Sequence, residues 1–406
     1  MRLNGDKMNK VQLPFGMQDY LPDDCYNKTK AENALCGTFS SYGYKRVSTP
    51  TIEYADLFTA DGAMNAKRLF KLTDSDGSLL ALRADVTVQI CRMYVTSMTG
   101  VQRMYYALDS YEYLSDSNSA RDREFAQTGV ELLGDDSAEG ELEILSMAAD
   151  ALKASGLKNF TVEIGHVGYF DGLAEQLGLT KEQTQKLKTL INKKDMLGAE
   201  LFFRDNGISE QGKESILSLP SLFGDVSVLE KARRLCSNDK STRAVERLEY
   251  LLGKLGKAGL GKYFSIDLGM VSVNDYYTGL VIKGLCDSVG ASILDGGRYD
   301  KLCDRMGKPA KAIGFAVGTK RLMTALKNQG KYEKAPKADI AFAVTECDDK
   351  LVRDTVSALR KKNIVVSVFG GEEELTAYCK EKGITRAVLF DGAAIELTFA
   401  PKGGKI

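Results

Sequence analysis

The chain has 406 residues, with 55 basic and 55 acidic side chains, one histidine and no tryptophan. A formal charge of zero argues against a general nucleic-acid coat, because such proteins carry a basic excess that displaces counterions from phosphates. The lone His166 excludes zinc sites built from several histidines and leaves one candidate for a Ser-His-Asp or Cys-His arrangement.

The amino-terminal MRLNGDKMNKVQLPFG lacks the apolar core of a signal peptide, and no stretch approaches about 18 consecutive apolar residues. Neither secretion nor membrane spanning is expected, and a cytoplasmic protein is. From Asp23 to Tyr42 the pattern is helical: Pro22, Asp23 and Asp24 suit a start, and Leu35, Phe39 and Tyr42 share one face before Gly43 ends it. YKRVSTPTIEY then predicts a strand that bends at Pro50. LLALRADV around Arg83, QRMYYALDSYEYL from Gln102 to Leu114, and REFAQTGVELLG from Arg123 to Gly134 read as further strands. Consecutive strands without an intervening helix imply a mainly antiparallel sheet.

Leu142, Leu145, Ala149 and Leu152 mark a helix between Ala138 and Ala154, and FTVEIGHVGYF from Phe160 to Phe170 reads as a strand. From about residue 179 to 262, runs such as KEQTQKLKTLINKK and STRAVERLEYLLGKLGK predict a helical insertion. Strand signals return at YFSIDLG and continue through ILDGGRYDKL to AIGFAVGTKRLMTAL. The polar stretch from Lys327 to Lys337 lacks periodicity and reads as a linker. Beyond it, strand and helix signals alternate, with a turn at Asp391-Gly392, which predicts a small α/β domain with a partly parallel sheet. The expected organisation is a core over 1–330 carrying the insertion, a linker over 331–337 and a small domain over 338–406.

Eight scattered cysteines, with no Cys-x-x-Cys spacing, read as reduced thiols. Gly296 and Gly297 fit neither phosphate-loop spacing and suit close backbone packing better. His166 lies between apolar neighbours, where a hydrogen-bonded structural imidazole is expected ahead of catalysis. The triplet Glu372, Glu373 and Glu374 complements a helix dipole.

Asp85, Gln127 and Glu131 are more informative, because all fall on apparent strands of one core and Gln127 and Glu131 share a face. They could form a polar floor for an ammonium group. An internal salt bridge with Arg83 or Arg123 would account for them as well as a bound amino acid would. Tyr276 and Tyr277, as adjacent strand residues, would point to opposite faces unless the backbone bulges.

PFGMQDYLPD, GYKRVSTPTIEY, LRADVT, REFAQTGVELLG, NDYYTG, GGRYDKL and AIGFAVGTKRL occur in this order and together resemble the class II histidyl-tRNA synthetase core. The resemblance spans roughly Leu13 to Leu326, and the tail is similar to a shortened anticodon-binding domain. It implies an α+β fold: a class II synthetase-like antiparallel sheet core with a helical insertion, plus the small α/β domain. It also implies a histidine pocket at Asp85, Thr87, Gln127, Glu131, Tyr276 and Tyr277, with Asp85 one methylene shorter than the synthetase glutamate.

The cationic positions of the synthetases are matched less well. The motif 2 arginine falls near Glu112 or Tyr113, and Ser272 stands where the activating arginine is expected. Arg321 matches the motif 3 arginine, although Lys320 replaces the preceding glutamate; Arg123 and Arg321 are the candidate remnants of a nucleotide contact.

LRADVT and EIGHVGYF are similar to the regulatory subunits of ATP phosphoribosyltransferase, a synthetase paralogue acting in histidine biosynthesis. The resemblance implies a non-catalytic protein without cofactor or metal, dimeric through its motif 1 region. It also implies association with a short catalytic subunit in a histidine-inhibited hetero-octamer. Many members of that family lack a carboxy-terminal domain, which makes the tail an expected departure. With 11 basic and 11 acidic residues from Lys337 onward, the tail offers no electrostatic platform for tRNA. A divergent histidyl-tRNA synthetase and a scaffold protein without histidine binding are the alternatives.

Overall fold

A computed structural model describes residues 12–60, 64–113, 122–208, 210–271 and 276–400. They fall into two units that divide between Glu333 and Lys334. In the first, Pro22–Ser41 forms the opening helix, which sinks Leu35 and Phe39 completely into the core. Each such side chain contributes roughly 1.5–3 kcal/mol of hydrophobic stabilisation.

The strands of this unit are β1 (Lys45–Arg46), β2 (Ile52–Tyr54), β3 (Lys71–Thr73), β4 (Leu79–Leu82), β5 (Gln102–Tyr111) and β6 (Glu124–Leu133). They continue as β7 (Phe160–His166), β8 (Phe223–Gly224), β9 (Phe264–Asp267), β10 (Leu280–Cys286), β11 (Val289–Arg298) and β12 (Ala312–Gly318). Among the described residues nine of them make one sheet in the order β1-β5-β6-β12-β11-β10-β7-β9-β8. Its pairings are antiparallel except β1 with β5 and β7 with β9. The helix Ala138–Ala154 lies against it and buries Ile144, Leu145, Ala148 and Leu152.

Three local expectations need correction. The strand expected across Pro50 divides between two sheets: β1 joins the large one, and β2 joins a small sheet ordered β2-β4-β3. Arg83 fixes that division, because its guanidinium donates to the carbonyls of Thr49 at 2.8 Å, Pro50 at 3.1 Å and Asp109 at 2.7 Å. Second, a helix, Val86–Ser97, intervenes between β4 and β5. Its β-branched residues hide it from propensity, but Asp85 caps it by accepting the Val88 N–H at 3.2 Å, and it buries Val86, Ile90, Cys91 and Tyr94. Third, the strand expected to reach Phe170 ends at His166, where the helix Val167–Gln176 begins.

The insertion contains the helices Lys181–Asn192, Met196–Asp205, Glu210–Leu217, Ser227–Leu235 and Asp239–Lys257, and it also lends the edge strand β8 to the large sheet. No helix among the described residues is long and apolar enough to cross a membrane.

In the second unit, β13 (Ile340–Glu346), β14 (Val365–Ser367), β15 (Arg386–Asp391) and β16 (Ala393–Thr398) form a sheet ordered β14-β13-β15-β16. β13 runs parallel to both neighbours and β16 antiparallel to β15. Strand alternation sends Ile340 and Phe342 toward Val356 of the helix Asp349–Arg360, and Ala341 and Ala343 toward Leu375 and Cys379 of the helix Glu372–Lys382. Glu374 caps the latter helix by accepting the Gly371 N–H at 2.9 Å.

Candidate functional site

A cavity of ≈ 1370 Å³ opens on the large sheet, and Asp85, Thr87, Gln127, Glu131, Tyr276 and Tyr277 all line it. Glu131 occupies its floor at 1% exposure. The β6–β12 register sets Glu131 opposite Gly314, where an added Cβ would stand 1.9 Å from Glu131 Oε2. Glycine at 314 therefore makes the room for this carboxylate. Thr87 Oγ1 donates to Glu131 Oε1 at 2.7 Å, and the Tyr299 hydroxyl donates to Oε2.

Burial is the main cause that pushes the Glu131 carboxyl up to about 8, against hydrogen bonds from Tyr299 and Thr87 that lower it, with nearby Asp85 adding to the rise. Asp85 is raised by burial too. Two carboxylates thus share a site without a cation of the chain bonded to either among the described residues. Arg83 is engaged with the carbonyls that hold the crossover at Pro50. Arg123 stacks on Phe15, Tyr113 and Phe70, with its guanidinium 4.8, 4.9 and 5.9 Å from the ring centres. Neither forms the salt bridge that the sequence left open.

Asp85 reaches the site from a helix N-cap and not from a strand, as first expected. Its cap geometry directs the carboxylate across the first turn of Val86–Ser97, beside Thr87. Tyr276 and Tyr277 precede β10 instead of lying within a strand, so alternation does not separate them. Their rings meet edge to face at 5.2 Å, and Tyr276 lies 5.9 Å from Tyr299. Burial pushes all three phenols up and keeps them neutral. Gln127 accepts from Ser110 Oγ at 3.3 Å.

Sequence reasoning missed Tyr299, which follows the glycine pair in GGRYDKL. The glycines themselves pack as expected: a Cβ on Gly296 would lie 2.4 Å from the Gly314 carbonyl, and one on Gly297 2.7 Å from the Tyr277 ring.

The outer lobe of the cavity carries Arg68, Lys320 and Arg321. Each faces an acidic partner. Arg68 pairs with Glu112, Lys320 with Asp122 at 2.6 Å, and Arg321 with Asp295 at 3.6 Å, while Arg321 also donates to the Ser292 carbonyl at 2.8 Å. Ser272, another position singled out in the sequence, lies outside the described residues. The inner lobe can take a flat polar ring with an ammonium group against its carboxylates, and the outer lobe is electrically compensated.

The family model of histidyl-tRNA synthetase matches residues 16–322. An ATP phosphoribosyltransferase regulatory subunit of Acetivibrio thermocellus is 35% identical over 402 residues, covering 97% of this chain and 96% of that protein. Another, from Ruminiclostridium cellulolyticum, is 36% identical, covering 92% and 91%. Among solved structures, an ATP phosphoribosyltransferase regulatory subunit/histidyl-tRNA synthetase from Bacillus halodurans superposes with a TM-score of 0.83 at 28% identity, covering 96% of this chain and 100% of that one. A histidyl-tRNA synthetase from Nostoc superposes at 0.77 with 19% identity, covering 96% and 97%, a likeness of fold. The tail is therefore no departure among these relatives, since the Acetivibrio thermocellus protein aligns over nearly the whole of both chains.

Proposed function

The chain belongs to the family of ATP phosphoribosyltransferase regulatory subunits, built on the histidyl-tRNA synthetase fold, and from that premise we propose that it is a non-catalytic histidine sensor. Its partner is a separate short phosphoribosyltransferase chain, which needs it for activity, in a cytoplasmic hetero-octamer. The observation that carries the sensor role is the buried Glu131, held by Thr87 and Tyr299 and facing the cavity beside Asp85 without a cation of its own. A ligand ammonium favours the ionised form of this carboxyl, and Gln127, Tyr276 and Tyr277 supply polar and aromatic contacts.

The outer lobe supports the non-catalytic part of the reading. Adenylate formation needs cations free to meet charge growing on the α-phosphate, and Arg68, Lys320 and Arg321 are each engaged by a carboxylate. Histidine inhibits the complex by binding one of its states more tightly than another, which is the one way a ligand can shift such an equilibrium.

Dimerisation of the core is part of the same proposal. In the β2-β4-β3 sheet, the register puts Ile52 beside Leu82, and Leu80 between Tyr54 and Leu72, on one face. All five side chains are exposed or half-exposed, an apolar face suited to a second copy.

Reconstitution tests the proposal. Transferase activity of the short subunit is expected to require this chain and to fall on adding histidine. Histidine-dependent pyrophosphate exchange with ATP by the pure chain would instead establish a synthetase. A chain that neither activates the transferase nor binds histidine would be a scaffold protein.

A further inference from the structure

A second cleft, of ≈ 710 Å³, lies between the helix Asp239–Lys257 and the junction of β7 with the helix Val167–Gln176. It is separate from the histidine-type pocket in its residues. Lys240, Arg243 and Arg247 line it at i, i+3 and i+7, the spacing that puts three cations on one helical face. The opposite wall presents His166. Its Nδ1 accepts the Gly168 N–H at 3.1 Å, so the neutral ring carries its proton on Nε2, the one polar atom left for a ligand. Burial first, and then the charges of Arg247 and Arg298, hold this imidazole down at about 4 and keep it neutral at pH 7.

The lining is rich in donors. Arg247 Nε lies 3.1 Å from Glu141 as an ion pair, and the buried Glu141 accepts a hydrogen bond from Arg298 Nε at 2.7 Å. Arg247 thus lines the cleft with its charge offset in part by Glu141. Arg298 does not line the cleft, but its charge acts on His166. Lys240 is held by Glu175 at 2.6 Å, and Glu246, a carboxylate of the lining, faces Arg233 at 3.7 Å. Arg243 is exposed and forms no hydrogen bond or ion pair among the described residues.

We propose that this cleft is an anion site for a phosphate-bearing small molecule, gripped by Arg243 and Arg247 from the helix and by the Nε2–H of His166 from the sheet. Donors converging from two walls suit the tetrahedrally arranged oxygens of a phosphate better than a planar carboxylate, which one guanidinium satisfies in its own plane.

His166 is the sole histidine of the chain, so its ring is a unique reporter. The full chain, labelled with ¹⁵N-histidine, is titrated with inorganic pyrophosphate at constant ionic strength, and with glutarate and sodium chloride in parallel. A saturable shift of the His166 ring signals is expected with pyrophosphate, at an affinity about tenfold or more above that for glutarate, and weakened about tenfold or more in Arg243→Glu. Arg243 is exposed with no partner to lose among the described residues, so that variant is expected to fold, which its circular dichroism checks. A non-saturating shift, an equal response to glutarate or chloride, or unchanged affinity in Arg243→Glu would overturn the assignment. Gln127→Ala is expected to bind pyrophosphate normally, and loss of binding there would place the anion in the other cavity and sink the proposal.

Discussion

Thr87 donates to Oε1 of Glu131 at 2.7 Å, which ties the first turn of the helix Val86–Ser97 to the middle of β6. That bond holds a buried carboxyl in one orientation without supplying a charge to balance it. Two consequences follow for pH, one for stability and one for binding.

Glu131 has a folded-state value of about 8, above its ordinary 4.5. Its protonated form is therefore the one that folding favours: this contribution is complete below the ordinary value and is lost as pH rises through about 8. Stability measured by chemical denaturation should fall by roughly 3–5 kcal/mol more in the unmodified chain than in Glu131→Gln between pH 5 and 9. Parallel curves for the two proteins would remove this account of Glu131.

Binding of histidine at pH 7 should expel a proton from Glu131, because the ligand ammonium favours the ionised carboxyl. Calorimetry in buffers of different ionisation enthalpy reads the proton count directly. Gln127→Ala and Glu131→Ala should each weaken binding roughly 10- to 100-fold, the range for loss of a charge-assisted or buried hydrogen bond. Unchanged affinity in both would discard the pocket.

Asp85 has two roles that substitution can separate. Asp85→Ala removes the cap on Val88 N–H and should cost ~1 kcal/mol of stability as well as histidine affinity. Asp85→Asn keeps a capping oxygen and should retain the stability while losing affinity. Equal stability of the two variants would mean that the cap contributes nothing.

Gly314→Ala places a methyl against Glu131 Oε2 and the Val130 carbonyl, 2.3 Å away. The expected cost is roughly 1–3 kcal/mol in thermal or chemical denaturation, together with loss of histidine binding. A stable variant with normal affinity would show that β12 can move away from β6.

On the small sheet, Tyr54→Glu with Leu72→Glu buries two charges if that face meets a second copy. Sedimentation should show the dimer weakened, its dissociation constant raised roughly 30-fold or more for each position. An unaltered dimer would move the interface elsewhere.

Within single elements, local order was legible from the residues. A period of 3.6 marks Ala138–Ala154, and a period of two puts Gln127 and Glu131 on one face, because each follows from backbone geometry over a few residues. The order of the motif blocks was enough to indicate the α+β synthetase-like core. The helix Val86–Ser97 escaped notice because its β-branched residues favour strands locally, while a cap and burial decide in favour of helix. What neighbours Glu131 was beyond local reading. Thr87, Tyr299 and Gly314 meet it across separations of 44, 168 and 183 residues, set by strand register and chain crossing. The cleft of His166 and Arg243 has the same origin, since the cationic face of a helix becomes a site when a distant imidazole is packed opposite to it. Local stereochemistry determined the elements, and long-range packing decided which of their polar groups share a cavity.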